Sequence, residues 1–178
     1  MKSLTVFCGS RKGNNSIYIK EAENLGKSAA KNNIEIVYGG SSSGLMGAVA
    51  DGALSQGGKV TGIIPEDLKP KEIAHQHVTN LITVNSMHER KALMYEKGEA
   101  FVAMPGGIGT LEEFMEVLTW GAIGHHQKRC ALLNVRDYYA PLHHLLEHMV
   151  KEGFLSHTIQ KNIVIEDNAE KLLHSLNI

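Results

Sequence analysis

Ala100-Phe101-Val102-Ala103 runs directly into Met104-Pro105-Gly106-Gly107-Ile108-Gly109-Thr110-Leu111-Glu112-Glu113, and an amphipathic run continues through Trp120. A short apolar run, a glycine-rich turn and a helical pattern read as strand, turn and helix. Three glycines let backbone N–H groups approach a ligand with no side chain in the way. The helix start that follows adds unpaired amide donors and the positive end of its dipole. Such a turn suits a phosphate. Glu113 lies about one helical turn past Gly109 and Thr110, so its carboxylate can face the same crevice. Taken alone, the stretch fits packing as well as binding. Many α/β turns are glycine-rich, and an acid in the first turn of a helix complements the dipole anyway.

The same alternation runs along the whole chain. Apolar runs at 4–8, 34–38, 59–64, 77–84, 129–135 and 163–165 read as further strands. Helical patterns at 16–31, 45–56, 86–97, 138–152 and 169–176 separate them, and 65–76 reads as a polar loop. Ser16 and Ser43 stand where helix caps are expected. Strands alternating with helices predict right-handed βαβ crossovers and a parallel sheet covered on both faces. With no linker or repeat, residues 1–178 are expected to form one doubly wound, Rossmann-like α/β domain. Its ligands would bind beyond the carboxyl ends of the strands, where three glycine-rich turns fall: 9–15, 39–44 and 105–109.

Composition narrows the function classes. A formal net charge of -1 favours neither a nucleic-acid polymer nor an anionic membrane as partner. No apolar run is long enough to span a bilayer. Cys8 and Cys130 fall in apolar strand-like runs and read as buried free thiols of a reducing compartment. Lys2-Ser3-Leu4 enters the first strand at once, which leaves no room for a signal peptide, so a cytoplasmic protein is expected.

Two further stretches sit beside strand ends. Gly39-Gly40-Ser41-Ser42-Ser43-Gly44 could be a second wall of an anion or ribose site, or a tight turn ending in a cap. Ser86-Met87-His88-Glu89-Arg90-Lys91 opens a helix with two cations in its first two turns. Positive charge there opposes the dipole and points to a nearby anion, although a solvated face with Glu89 as partner explains it too.

In order, Gly39-Gly40-Ser41-Ser42-Ser43-Gly44-Leu45-Met46-Gly47, Met87-His88-Glu89-Arg90-Lys91 and Pro105-Gly106-Gly107-Ile108-Gly109-Thr110-Leu111-Glu112-Glu113 resemble the three motifs of the Lonely Guy family of phosphoribohydrolases. The likeness runs from Cys8-Gly9-Ser10 to about Leu142, and Ser41 stands where the family often has a third glycine. The resemblance implies hydrolysis of the N-glycosidic bond of nucleoside 5′-monophosphates to a free base and ribose 5-phosphate. Cytokinin ribotides are the named substrates and AMP is often accepted. It implies Arg90 and Glu113 as the catalytic pair, with Gly106, Gly107, Gly109 and Thr110 at the phosphate. Met87, Arg90 and Lys91 would lie against the nucleotide, and Ser10 and Gly40 would line the pocket. A homodimer is implied as well, and no cofactor. The helical pattern at 111–122, apolar on more than one face, would suit a subunit contact.

Elementary chemistry agrees with those roles. Breaking a C–N glycosidic bond passes through an oxocarbenium-like sugar cation, which a neighbouring carboxylate stabilises. The same carboxylate can take a proton from water. Arginine is always cationic and donates protons poorly, so Arg90 is expected to orient groups and offset charge on the leaving base. A nitrogen-base leaving group needs no metal.

Other features are set aside. The ten histidines, His144 and His148 at i,i+4 included, form no recognisable metal spacing. His75-Gln76-His77 and His125-His126 read as loop residues that could rim the pocket, and Met115 and Trp120 as core or subunit-contact residues. Family members often carry the label lysine decarboxylase, but the sequence offers no Schiff-base lysine with a partner for a pyridoxal ring nitrogen. A dinucleotide oxidoreductase fits poorly, since no G-x-G-x-x-G follows the first strand and no acid closes the second. The alternative that stays open is a non-catalytic nucleotide-binding or carrier protein of the same fold, which would have no need of the Arg90–Glu113 pair.

Overall fold

The strands are short and almost wholly apolar, as strands buried on both faces must be. The computed structural model describes residues 2–69 and 73–177. Its strands are β1 (Ser3–Phe7), β2 (Glu35–Tyr38), β3 (Val60–Pro65), β4 (Asn80–Val84), β5 (Ala100–Ala103), β6 (Arg129–Leu133) and β7 (Ile163–Glu166). They form one sheet in the order β4-β3-β2-β1-β5-β6-β7, with every pairing parallel. Among the described residues the helices are α1 (Ile17–Lys31), α2 (Gly44–Leu54), α3 (Met87–Lys97), α4 (Ile108–Ala122), α5 (Ala140–Lys151), α6 (His157–Lys161) and α7 (Ala169–Ser175).

Two apolar clusters cover the two faces. Leu4, Val6, Ile36 and Val102 pack on one face with Leu25 of α1, Val49 of α2 and Leu172 of α7. Phe7, Val37, Phe101 and Leu132 pack on the other with Met94 of α3, Phe114 of α4 and Leu146 of α5. The alternation within β1 therefore feeds both layers, as a period of two requires. Thr5 is buried yet satisfied, because its hydroxyl donates to the Met94 carbonyl at 2.8 Å. Glycine lets α1 and α2 touch backbone to backbone, for a Cβ at Gly26 would sit 2.1 Å from the Val49 carbonyl oxygen.

The chain leaves β1 toward β2, β3 and β4, then returns past β1 to lay down β5, β6 and β7. The order reverses between β1 and β5, so the loops after those two strands splay apart and open a crevice. That is where the segment after Phe7 meets the turn after Ala103.

Several expected boundaries move. The strand read at 77–84 begins only at Asn80, because Thr79 and His77 serve as turn partners: the Val60 N–H donates to the Thr79 hydroxyl, and the His77 N–H donates to His75 Nδ1. Ser16 and Ser43 occupy cap positions, but neither side chain accepts a cap hydrogen bond. Asn15 does that work for α1, its Oδ1 accepting from the Ile17 N–H at 3.0 Å. The helix read at 138–152 starts at Ala140, after a separate single turn at Val135–Asp137. Of the loop at 65–76, Pro65 ends β3, Glu66–Leu68 forms one 3-10 turn, and 70–72 lie outside the described residues. The five-residue α6 is too short and polar to show a helical period, but Ser156 caps it.

Candidate active site

The turn between β5 and α4 lies at the carboxyl edge of the sheet, at the reversal of strand order. Gly106 is needed for its own neighbours: a Cβ there would meet the Thr110 hydroxyl at 2.1 Å and the Gly9 nitrogen at 2.9 Å. Gly107 and Gly109 differ, because a Cβ on either would meet nothing within 4 Å. Gly107 takes the N-cap position of α4 in an extended conformation and has no side chain with which to cap. No acid lies in the first turn of α4. The opening amides of the helix thus face open space without a side-chain acceptor, the arrangement that binds anions.

Arg90 reaches the same crevice from α3. Ser86 accepts from the Glu89 N–H at 3.1 Å and the Glu89 carboxylate accepts from the Asn85 N–H at 2.8 Å. The two bonds fix the start of the helix, with Ser86 as its cap and Glu89 reaching one residue further back. Glu89 is thereby occupied with the cap, and Arg90 turns inward. Arg90 is 6% exposed. Its Nε donates to the Ile63 carbonyl at 3.1 Å and its Nη2 to the Gly39 carbonyl at 2.9 Å. A Cβ on Gly39 would lie 2.0 Å from that Nη2, so glycine at 39 is a condition of the arginine's position.

Glu113 projects from the second turn of α4 into the crevice, and Arg90, Ser10, Met87, Gly107, Gly109 and Thr110 line it with Glu113. The cavity measures about 260 Å³. Both charges act on the thiol at its wall. Burial pushes the Cys8 thiol well above its ordinary range, the Glu113 carboxylate raises it further, and Arg90 pulls it down. The acid, the buried cation and the open helix start thus share one small volume.

Not every expected residue joins them. Gly106 lines the adjoining chamber. Gly40, at φ +80, turns toward β3, where a Cβ would press on Ile63 and Ile64, and its carbonyl accepts from the His75 N–H. Gly39 takes the place at the cavity wall. Lys91 stays outside the cavity: its ammonium binds the carboxylates of Glu112 at 2.5 Å and Glu116 at 3.2 Å, tying α3 to α4. The hydrogen bond to Glu112 chiefly holds the Lys91 pKa above its ordinary value.

Cys8, Met46, Met94 and Glu112 also line the cavity. Cys8 was legible from topology, since it directly follows the strand beside the reversal. The two methionines had no signal apart from their core pattern. His75 proves to be a 4% exposed anchor whose Nε2 lies 3.0 Å from Asp51 Oδ1. Neither it nor His126, whose Nε2 meets the Val117 carbonyl, rims the cavity. No group of three or more histidine, cysteine or acidic side chains able to hold a metal occurs among the described residues.

Fold and site define a doubly wound α/β protein with an open glycine-rich helix start, a buried arginine and a carboxylate in a single crevice. Comparison with known proteins makes the class specific. The chain belongs to the Lonely Guy family, that of the cytokinin riboside 5′-monophosphate phosphoribohydrolases: the family model described as "Possible lysine decarboxylase" matches residues 46–176. A Rhodococcoides fascians protein named cytokinin riboside 5′-monophosphate phosphoribohydrolase is 47% identical over 165 residues, covering 92% of this chain and 83% of the relative. An Arabidopsis thaliana protein of the same name is 43% identical over 175 residues, covering 98% and 82%. The fold also matches the molybdenum cofactor binding protein of Rippkaea orientalis, at TM-score 0.74 and 19% identity over 100% of this chain and 99% of that one. The Moco carrier protein of Chlamydomonas reinhardtii matches at TM-score 0.74 and 17% identity, over 99% and 95%.

The decarboxylase in the family description implies pyridoxal chemistry, which needs a lysine free to form a Schiff base. Among the described residues no lysine lines the crevice. Lys91, beside Arg90 in sequence, is held cationic by two carboxylates. These residues do not fit that cofactor.

Proposed function

We propose that this protein hydrolyses the N-glycosidic bond of nucleoside 5′-monophosphates, with N6-modified adenosine monophosphates of the cytokinin type as the substrate class and AMP as a further substrate. The products are the free base and ribose 5-phosphate, which makes the protein an N-glycosyl hydrolase. One observation carries this reading: Glu113 and Arg90 wall the same crevice as the open start of α4. A protein that only holds a nucleotide gains nothing from a carboxylate beside a phosphate cradle.

The steps follow from the geometry. The phosphate takes the amides of Gly107, Gly109 and Thr110, and remote binding places the ribose. Ser10 and Met87 line the nucleotide. As the bond from C1′ to the base nitrogen breaks, its electron pair leaves with the base and the sugar becomes cationic. Glu113 stabilises that cation and takes a proton from the water that adds to C1′. The base gains a proton from solvent. Arg90 is fixed through Nε and Nη2 on two carbonyls, so its charge is preorganised toward the leaving base.

A homodimer and a cytoplasmic setting complete the proposal. Leu111, Met115 and Leu118 of α4 are only half-buried and Ile108 is 87% exposed, which supports a subunit contact along this helix. Light scattering behind size exclusion reads out the dimer. Two buried free thiols suit a reducing compartment.

The deciding experiment is product analysis by chromatography with AMP and isopentenyladenosine 5′-monophosphate, beside a Glu113→Gln control. Wild type is expected to release free base from both, while Glu113→Gln keeps nucleotide binding and loses about 10²- to 10⁴-fold in turnover. Unchanged turnover in that variant defeats the mechanism. Binding without release of base by wild type shifts the protein to the carrier class.

A further inference from the structure

The turn between β5 and α4 has three carbonyls in a row that each accept a hydrogen bond from another part of the chain. Met104 takes the Tyr139 hydroxyl at 2.5 Å, Pro105 the Gly9 N–H at 3.2 Å and Gly106 the Tyr138 hydroxyl at 2.5 Å. Both tyrosines follow a bend after β6. Arg136 and Asp137 lie there in consecutive left-handed conformations, at φ +53 and +57. That backbone is costly for a residue with a Cβ and persists only where its surroundings fix it. Asn134 fixes it here. Its N–H donates to the Glu166 carbonyl at 2.7 Å, its Oδ1 accepts from the Tyr139 N–H at 2.7 Å and its Nδ2 donates to the Asp137 carboxylate at 3.3 Å. The bend thus delivers two phenols to one glycine turn.

The two phenols do different things. In a trans peptide the C=O and the N–H that follows it point in opposite directions, and no cis peptide occurs among the described residues. The Met104 carbonyl shares its peptide with Pro105, which has no N–H. Tyr139, 2% exposed, therefore satisfies a buried acceptor and aims nothing. The Gly106 carbonyl shares its peptide with the Gly107 N–H. Tyr138 holds that oxygen on the side of the adjoining chamber, so the N–H points the other way, where Gly107 lines the crevice with Glu113. Nothing local fixes this direction. The peptide joins two glycines, the residues least restricted in φ and ψ, and can flip at little cost. The Tyr138 ring is itself held, edge-on to Tyr18 and Tyr139 with ring centres 6.0 and 5.1 Å away.

We propose that Tyr138 is a positioning residue for the substrate phosphate: its hydroxyl locks the Gly106–Gly107 peptide so that the Gly107 N–H stays turned into the crevice. The proposal rests on the phosphate assignment made above but not on hydrolysis itself. The phosphate keeps its charge while the distant C–N bond breaks. An amide aimed at it therefore holds ground state and transition state alike, and its loss shows in KM and not in kcat.

Calorimetric titration of AMP and adenosine into Tyr138→Phe and Tyr139→Phe tests it, with Glu113→Gln in every protein, the parent included, to stop turnover. Tyr138 is 41% exposed, and phenylalanine keeps its ring contacts while removing the hydroxyl. Tyr138→Phe should bind AMP about tenfold more weakly than the parent and adenosine equally well. Tyr139→Phe should melt lower than the parent and bind AMP as the parent does. With Glu113 intact, Tyr138→Phe should raise KM for AMP about tenfold at unchanged kcat. Unchanged AMP affinity in Tyr138→Phe overturns the proposal. An equal loss for adenosine, or an equal loss in Tyr139→Phe, overturns it too, because either reduces the effect to a loosened turn. If wild type releases no free base from AMP while Tyr138→Phe still weakens AMP selectively, the positioning role stands and the hydrolase reading falls.

Discussion

Two glycine-rich turns flank the crevice and look alike in sequence, yet their glycines face opposite things. In the turn after β2, a Cβ on Gly39 would strike Arg90 at 2.0 Å, one on Gly44 would strike the Ser10 backbone at 2.3 Å, and one on Gly47 would strike the Ser42 carbonyl at 2.0 Å. In the turn after β5, Gly107 and Gly109 face open space. The first turn is glycine because the protein's own atoms fill the room. The second keeps Gly106 for the same packing reason, but it is glycine at 107 and 109 although nothing of the protein fills those positions, which marks room kept for a ligand. A glycine motif thus carries two meanings, and the neighbour that a Cβ would meet separates them.

The largest effect is expected at Gly44. Its φ of +60 and its contact with the Ser10 backbone both oppose a side chain. Gly44→Ala should lose about 3 kcal/mol in urea unfolding, from left-handed strain plus overpacking. A loss below about 1 kcal/mol would break the comparison, because the first turn would then tolerate what its packing forbids.

Gly109→Ala sharpens the contrast from the other side. Alanine is the better helix former by about 0.8–1.0 kcal/mol, so the variant should melt higher than wild type. Its methyl projects into the cavity wall, so AMP affinity should fall by about tenfold in calorimetry when both proteins also carry Glu113→Gln to stop turnover. Higher stability with unchanged affinity would show that the space at Gly109 is not the ligand's.

A smaller effect is expected at Lys91, the cation that sequence alone cannot tell from Arg90. Lys91→Gln should cost about 1 kcal/mol of stability, since its contacts are partly screened. The folded pKa of Lys91 is raised, so its stabilisation is fully present below the unfolded value of about 10.4 and disappears as pH rises through the folded value. Unfolding curves of wild type and variant should therefore stay apart through neutral pH and converge only in strong alkali. A gap that closes near neutrality would mean that another group holds α3 to α4.

The smallest readout is thiol reactivity. Burial pushes Cys130 up to about 12 and Cys8 higher still, so neither is a thiolate near neutrality. Native protein should react with a disulfide reagent only at the rate of its unfolding. Fast labelling of Cys8 alone would reveal that the crevice opens to its wall.

Much of this architecture is legible without coordinates. Apolar runs separated by helical patterns give the parallel sheet, and the three co-ordered motifs give the family. Boundaries shift where a side chain bonds locally: Asn15, not Ser16, caps α1, because either residue could serve and only the loop's path chooses. The site is legible by residue type. Its direction is not: Gly40 and Lys91 both carry the expected chemistry in sequence and both point elsewhere.

The sequence by itself determined the covered sheet, the turn that leads to Glu113 and a pair of cations opening another helix, because periodicity, glycine and charge are local properties. Only the tertiary structure decided which glycines are packing and which are space. It also decided that Arg90 hangs from the carbonyls of Gly39 and Ile63 while Lys91 locks two helices together. Arg90 is 51 residues from Gly39 and 27 from Ile63. Contacts at that range are set by how β2, β3 and α3 stack, and a spacing along one chain does not contain that distance.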